Sequence, residues 1–127
     1  DFNLLKDAAL TGNKITTNKL LNDTLIEPDK GLYYLNVINQ RLNKLKEINN
    51  IKGSNNLEDK IKNLRPPIFW KDKNTFVNQA KLWNSAKIKN MLKETYELEI
   101  RFKSNSNINN NLIIKKLILD ICECANF

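Results

Sequence analysis

Apolar residues recur at spacings of three and four along almost the whole chain, the period of an amphipathic helix. Phe2, Leu5 and Ala9 share one face of a first helix over Phe2–Thr11, and Gly12 is positioned as its C-terminal stop. Thr16 or Thr17 can cap a second helix carrying Leu20, Leu21, Leu25 and Ile26, which must end ahead of Pro28 and the Glu27–Gly31 turn. A longer stripe then runs through Leu32–Asn49, with Tyr34, Val37, Ile38, Leu42, Leu45 and Ile48 facing one way. Arg41 falls in the middle of that stripe. A guanidinium directed inward needs a carboxylate or carbonyl partner, a subunit interface, or a snorkelling path along the helix edge.

Gly53, Ser54, Asn55 and Asn56 read as a loop, and Leu57, Ile61 and Leu64 outline a short fourth helix stopped by Pro66 and Pro67. A fifth helix begins near Asp72 or Asn74 and presents Phe76, Ala80 and Trp83 on one side, a spacing that suits burial. Ser85 is a candidate N-cap for a sixth helix reaching Lys103, with Ile88, Met91, Leu92, Thr95, Leu98 and Phe102 inward. Glu99 stands four residues before Lys103, the supportive orientation for a surface pair. After an Asn-rich loop over Ser104–Asn111, a last helix from Leu112 to Ala125 is strongly apolar. Ile113, Ile114, Leu117, Ile118, Ile121 and Cys124 cover about half its circumference, so it should pack against two or more neighbours or against another chain. No segment alternates convincingly with a period of two. The expectation is therefore an all-α fold, a bundle of about six to seven helices forming a single domain over residues 1–127.

With 41% hydrophobic and 28% charged residues and only three Gly and three Pro, the composition is that of a folded helical domain. The chain starts at Asp1 and has Met91 as its only methionine, so it is read as a fragment or a processed chain. No apolar run approaches the roughly 18 residues a membrane span requires, and Lys115 and Lys116 interrupt the best candidate. Cys122 and Cys124 would lie about 200° apart on a helix, poorly disposed for a disulfide or a shared metal, and are read as reduced thiols in a cytoplasmic protein. The net charge of +7 invites a nucleic-acid reading. The dominance of Asn, Lys and Ile, however, is also what a coding bias toward A and T produces.

Candidate chemistry is sparse. There is no histidine, Gly12, Gly31 and Gly53 are isolated rather than part of a phosphate loop, and no Gly-Lys-Ser/Thr occurs. Glu94, Glu97 and Glu99 crowd one helix but alternate with Lys93, Arg101 and Lys103, as ordinary surface pairs do. The chain is accordingly expected to have no catalytic residue, cofactor or metal. Lys71, Lys73, Lys81, Lys87, Lys89 and Lys93 form a basic band beside Trp70, Phe76 and Trp83, a mixture that single-stranded nucleic acid could use. A stand-alone basic helical domain binding nucleic acid is the alternative reading on that account.

The stretch Leu64-Arg65-Pro66-Pro67-Ile68-Phe69-Trp70-Lys71-Asp72-Lys73, followed by Phe76, Gln79 and Trp83, resembles the Leu-Arg-Pro-Pro-aromatic-basic segment of the delta subunit family of the bacterial DNA polymerase III clamp loader. Further segments are similar in the same order. They are Leu5-Lys6-Asp7-Ala8-Ala9-Leu10-Thr11-Gly12-Asn13 with Leu20 and Leu21, the Gln40-Arg41-Leu42 helix, and Glu99-Ile100-Arg101-Phe102-Lys103-Ser104 before the last helix. The resemblance implies the carboxy-terminal collar domain of that subunit, an all-helical module that associates with neighbouring collars in DNA replication. Its implied partners are the gamma or tau and delta prime subunits, with the sliding clamp contacted only through amino-terminal AAA+-like modules that this sequence does not contain and DNA only indirectly. Polymerase activity would belong to the parent holoenzyme and not to this chain. Interface candidates are Arg41, which breaks its helix pattern; Phe69, Trp70 and Lys71, which follow the double proline; Ile118 of the very apolar last helix; and the terminal Phe127.

Overall fold

Four of the helices begin where a short polar side chain reaches back to a free backbone amide. In the computed structural model, which describes residues 1–51, 56–104 and 109–127, α1 (Phe2–Leu10) is capped by Asp1 and α2 (Lys14–Asp23) by Asn13, whose Oδ1 accepts from the Thr16 amide at 3.0 Å. α3 spans Gly31–Asn50, α4 Leu57–Lys62, α5 Lys73–Leu82, α6 Ser85–Ser104 and α7 Asn110–Ala125. Asn56 caps α4, and Asn84 caps α6 by accepting from the Lys87 amide at 2.9 Å. Asparagine thus starts three helices. The caps expected at Thr16 or Thr17 and at Ser85 are corrected to Asn13 and Asn84, whose longer side chain reaches the third amide of the new turn. Among the described residues the fold is seven α-helices with two short 3₁₀ turns, Pro28–Lys30 and Trp70–Asp72, and no strand.

Gly12 ends α1 as anticipated. Its φ of +74° lets the Gly12 and Asn13 amides turn back onto Ala9 and Ala8, closing a paired C-terminal cap. Asn126, at the far end of the chain, donates to the Gly12 carbonyl at 2.9 Å and ties the two termini together. Gly31, in contrast, is the first residue of α3 and not a turn residue. A Cβ there would stand 2.9 Å from the Phe102 ring and 3.2 Å from Asn110, so this glycine lets the start of α3 meet the end of α6 and the start of α7.

α3 and α7 organise the core. α3 touches α1, α4, α5, α6 and α7, and α7 touches α1, α2, α3 and α6, as its wide apolar surface requires. Tyr34, Leu35, Ile38, Leu42, Leu45 and Ile48 are the buried stripe of α3; Leu35 takes the interior position expected of Val37, which is only half-buried. α2 stops before Leu25, because Thr24 is extended and the residue ahead of Pro28 is held out of the helical region. Leu25 is then exposed while Ile26 enters the core. On α7 the buried cysteine is Cys122, with Cys124 only half-buried, and both are free thiols. Ser104, Asn110 and Asn111 belong to helices and not to the expected loop. The loop residues anticipated at Gly53–Asn55 and at 105–108 lie outside the described residues.

Phe76 and Trp83 are both in the core. Trp83 lies just past α5 and donates its indole N–H to the Leu10 carbonyl at 2.8 Å, satisfying a free acceptor at the end of α1. Among the described residues no helix is long and apolar enough to cross a membrane.

Candidate interaction site

Arg41 is the residue around which an unusual site is built. It sits half-buried on α3, with its guanidinium carbon 5.4 Å from the centroid of the Phe76 ring on α5. Its Nη1 donates to Oε1 of Gln79 at 2.8 Å. Gln79 is fully buried and passes the link onward, its Nε2 donating to the carbonyl and the carboxylate of Asp7 on α1 at 3.4 and 3.3 Å. Asp7 in turn lies 3.3 Å from Lys6. One polar chain therefore runs Arg41–Gln79–Asp7–Lys6 across three helices. The expected need of Arg41 for a partner is met by a neutral amide, since no carboxylate among the described residues approaches it to ion-pair distance.

Beside this chain lies a groove of about 730 Å³ between α1 and α3, walled on its far side by Pro66 and Ile68. Lys6, Arg41 and Lys44 line it, with Glu47 as the single acid. Lys6 is only 7% exposed; burial holds its ammonium below the usual lysine range, and the nearby Arg41 adds to the effect while Asp7 opposes it. Lys44 fastens the wall by donating to the Pro66 carbonyl at 2.9 Å.

Phe69 and Trp70 follow the Ile68 wall and are 56% and 74% exposed. Their rings meet edge to face at 5.9 Å, and the Lys71 ammonium stands 5.4 Å from the Trp70 centroid. The Asp72 amide donates to the Phe69 carbonyl at 2.8 Å, so the pair is carried on a 3₁₀ turn leading into α5. Arg41 thus lines the groove, while Phe69, Trp70 and Lys71 follow directly on its Ile68 wall without lining it. Ile118 is at neither place: it is completely buried, on a helix that packs against four others and leaves Leu112 and Leu119 exposed. Phe127 is exposed at the end of α7 and does not line the groove.

The basic band is divided by the same packing. Phe76 and Trp83 are interior and offer no stacking face, and Lys87 is drawn to the ends of α5 and α7, where it donates to the carbonyls of Leu82 and Ala125 at 3.1 and 3.4 Å. Lys71, Lys81, Lys89 and Lys93 remain exposed.

A second electrostatic anomaly lies between α6 and α7. Glu94 shares a hydrogen bond with Asp120, and burial together with that neighbouring acid pushes the Glu94 carboxyl up to about 7, with Lys116 opposing the rise. Lys116 also pairs with Asp120 at 2.9 Å. Glu94 is therefore not one of the ordinary surface acids it resembles in sequence, whereas Glu99 is, standing 3.9 Å from Lys103.

Two participants escaped sequence reasoning. Gln79 gave no signal beyond its place in the aromatic segment, and the Glu94–Asp120 contact joins residues of helices whose mutual rotation the sequence does not encode. No family model matches the chain, nor does any curated protein or solved structure.

Proposed function

We propose that this chain is an assembly module that docks on partner proteins through the groove beside Arg41 and the exposed Phe69–Trp70 pair that follows its wall. The observation that carries this reading is the aromatic pair itself. Two large aromatic side chains standing in water, directly after the Ile68 wall of a groove, offer a partner the kind of anchor a binding hot spot uses, and they contribute little to the interior of the domain. Its resemblance in sequence to the clamp loader delta subunit gives the proposal a specific form: a collar domain that packs against the gamma or tau and delta prime collars and so holds the loader together during DNA replication. Distinct complementary faces, rather than one self-complementary patch, would then fix its position among non-identical neighbours. No catalytic step is assigned to it.

The test is to mix the purified protein with gamma and delta prime collar domains and measure complex mass by size exclusion with light scattering at low and high salt. A heteromeric complex that survives high salt is the expected result. Absence of association, together with tight binding to DNA that weakens steeply as salt rises, would replace this reading with the nucleic-acid one.

A further inference from the structure

We propose that the groove beside Arg41 receives an acidic segment of a protein partner, one carboxylate closing on the Arg41 guanidinium while a neighbouring apolar side chain lies on Phe69 and Trp70. The class of occupant, a protein chain, rests on the assembly reading; its chemistry rests on the groove alone.

The groove is lined by three cations against one acid, and the cations are recessed rather than raised. Arg41 carries the argument. A guanidinium has five N–H donors in a fixed fork and keeps its charge at any pH the protein meets, so it cannot discharge itself when burial removes water. Here one nitrogen donates to Gln79, whose neutral oxygen cannot balance the charge. A carboxylate arriving at the free edge of the fork would make charge-assisted bonds in a half-desolvated setting, where such bonds are strongest. Lys6 would gain as well, because an added negative charge opposes the burial and the Arg41 repulsion that both disfavour its charged form. Glu47 leaves the cations in excess, since it approaches only Lys44, at 3.8 Å.

A nucleic-acid strand fits less well. Strand binding uses a continuous cationic track with successive stacking faces. Here the cations sit recessed in one groove, the exposed aromatics are Tyr33 in its lining and the Phe69–Trp70 pair beyond Ile68 rather than a continuous series of stacking faces, and a lysine already lies over Trp70. An acidic protein segment needs only one carboxylate and one adjacent apolar anchor.

The experiment is an NMR titration of isotope-labelled protein, reading the Arg41 side-chain and Trp70 indole N–H signals. Two probes are run in parallel, a synthetic peptide alternating Glu and Leu, and oligothymidylate. The expected result is that the peptide moves both signals together, and that Arg41→Gln and, independently, Lys44→Gln weaken it by about tenfold or more, while Lys116→Gln has no effect. A peptide that moves neither signal, binding indifferent to both groove substitutions, or signals moved only by oligothymidylate would overturn the inference. The same variants are mixed with the gamma and delta prime collars. Complexes insensitive to Arg41→Gln and Lys44→Gln would sink the inference and leave the assembly reading standing. Peptide capture at Arg41 without any collar complex would do the reverse to the named partners.

Discussion

The groove at Arg41 and the seam between α6 and α7 face the same difficulty, an excess of one charge in a partly buried place, and resolve it differently. At the seam the excess is negative, and Glu94 meets it by holding a proton to about pH 7, which turns repulsion with Asp120 into a hydrogen bond. At the groove the excess is positive and belongs to a guanidinium that has no such recourse. It donates to the neutral amide of Gln79 and is left facing a cavity. A carboxyl can settle its surroundings alone, whereas an arginine requires another molecule, protein or water, to do so. That difference is why the groove, and not the seam, is assigned to a partner.

The largest expected effect breaks the groove's side of this contrast from within. Gln79→Leu removes the acceptor of Arg41 and the donor to Asp7 while keeping an interior shape, and should cost about 2–3 kcal/mol in urea denaturation. A loss below about 0.5 kcal/mol would mean that water already serves Arg41 as well as Gln79 does. Next comes Gly31→Ala, which strikes the foot of the seam, where a new Cβ must displace Phe102 or Asn110; overpacking of this kind costs about 1–2 kcal/mol. An unchanged midpoint would show that the Phe102 ring gives way freely.

A smaller effect, read as a pH dependence, sharpens the seam. The folded carboxyl of Glu94 titrates near 7 against an ordinary value of 4.5, so the folded state binds more protons than the unfolded state between those limits. The stability this proton supplies is fully present below pH 4.5 and is lost as pH rises through about 7. Glu94→Gln should therefore melt above the parent at pH 8, with the gap closing toward pH 5. Parallel melting curves across that range would rule out the shared proton. The smallest effect is that of Trp70→Ala on stability, expected to lie within about 0.5 kcal/mol because the ring is mostly in water. A cost of several times that would make Trp70 a structural residue and remove the observation on which the docking reading stands.

Helix periodicity made the interior legible from sequence wherever one face decided burial. The stripe through Ile38, Leu42, Leu45 and Ile48, and the one through Ile88, Met91 and Thr95, are buried as their spacing requires. Even Arg41 and the Phe69–Trp70 pair drew notice, the first as a charge inside an apolar stripe and the second as aromatics after two prolines. The structure departs from expectation where the choice falls between residues one or two positions apart. Leu35 against Val37, Cys122 against Cys124 and Asn84 against Ser85 each turn on a fraction of a helical turn, set by which neighbours pack on which side. The sequence of α7 leaves open whether two or more neighbours or another chain would cover Ile118, because the four helices packed on it cannot be counted from that segment alone.

The sequence by itself determined that this protein is helical, where most of its helices begin and end, and which residues could not easily belong to a core. Those are local matters, fixed by backbone preferences, capping geometry and a period of 3.6 residues. Only the tertiary structure decided that Gln79 stands between Arg41 and Asp7, that Glu94 meets Asp120, and that Lys6 and Lys44 converge on one groove. Each of those contacts joins residues far apart in the chain, and depends on how the helices are turned and slid against one another. Side-chain packing sets that arrangement collectively, and no single segment carries it.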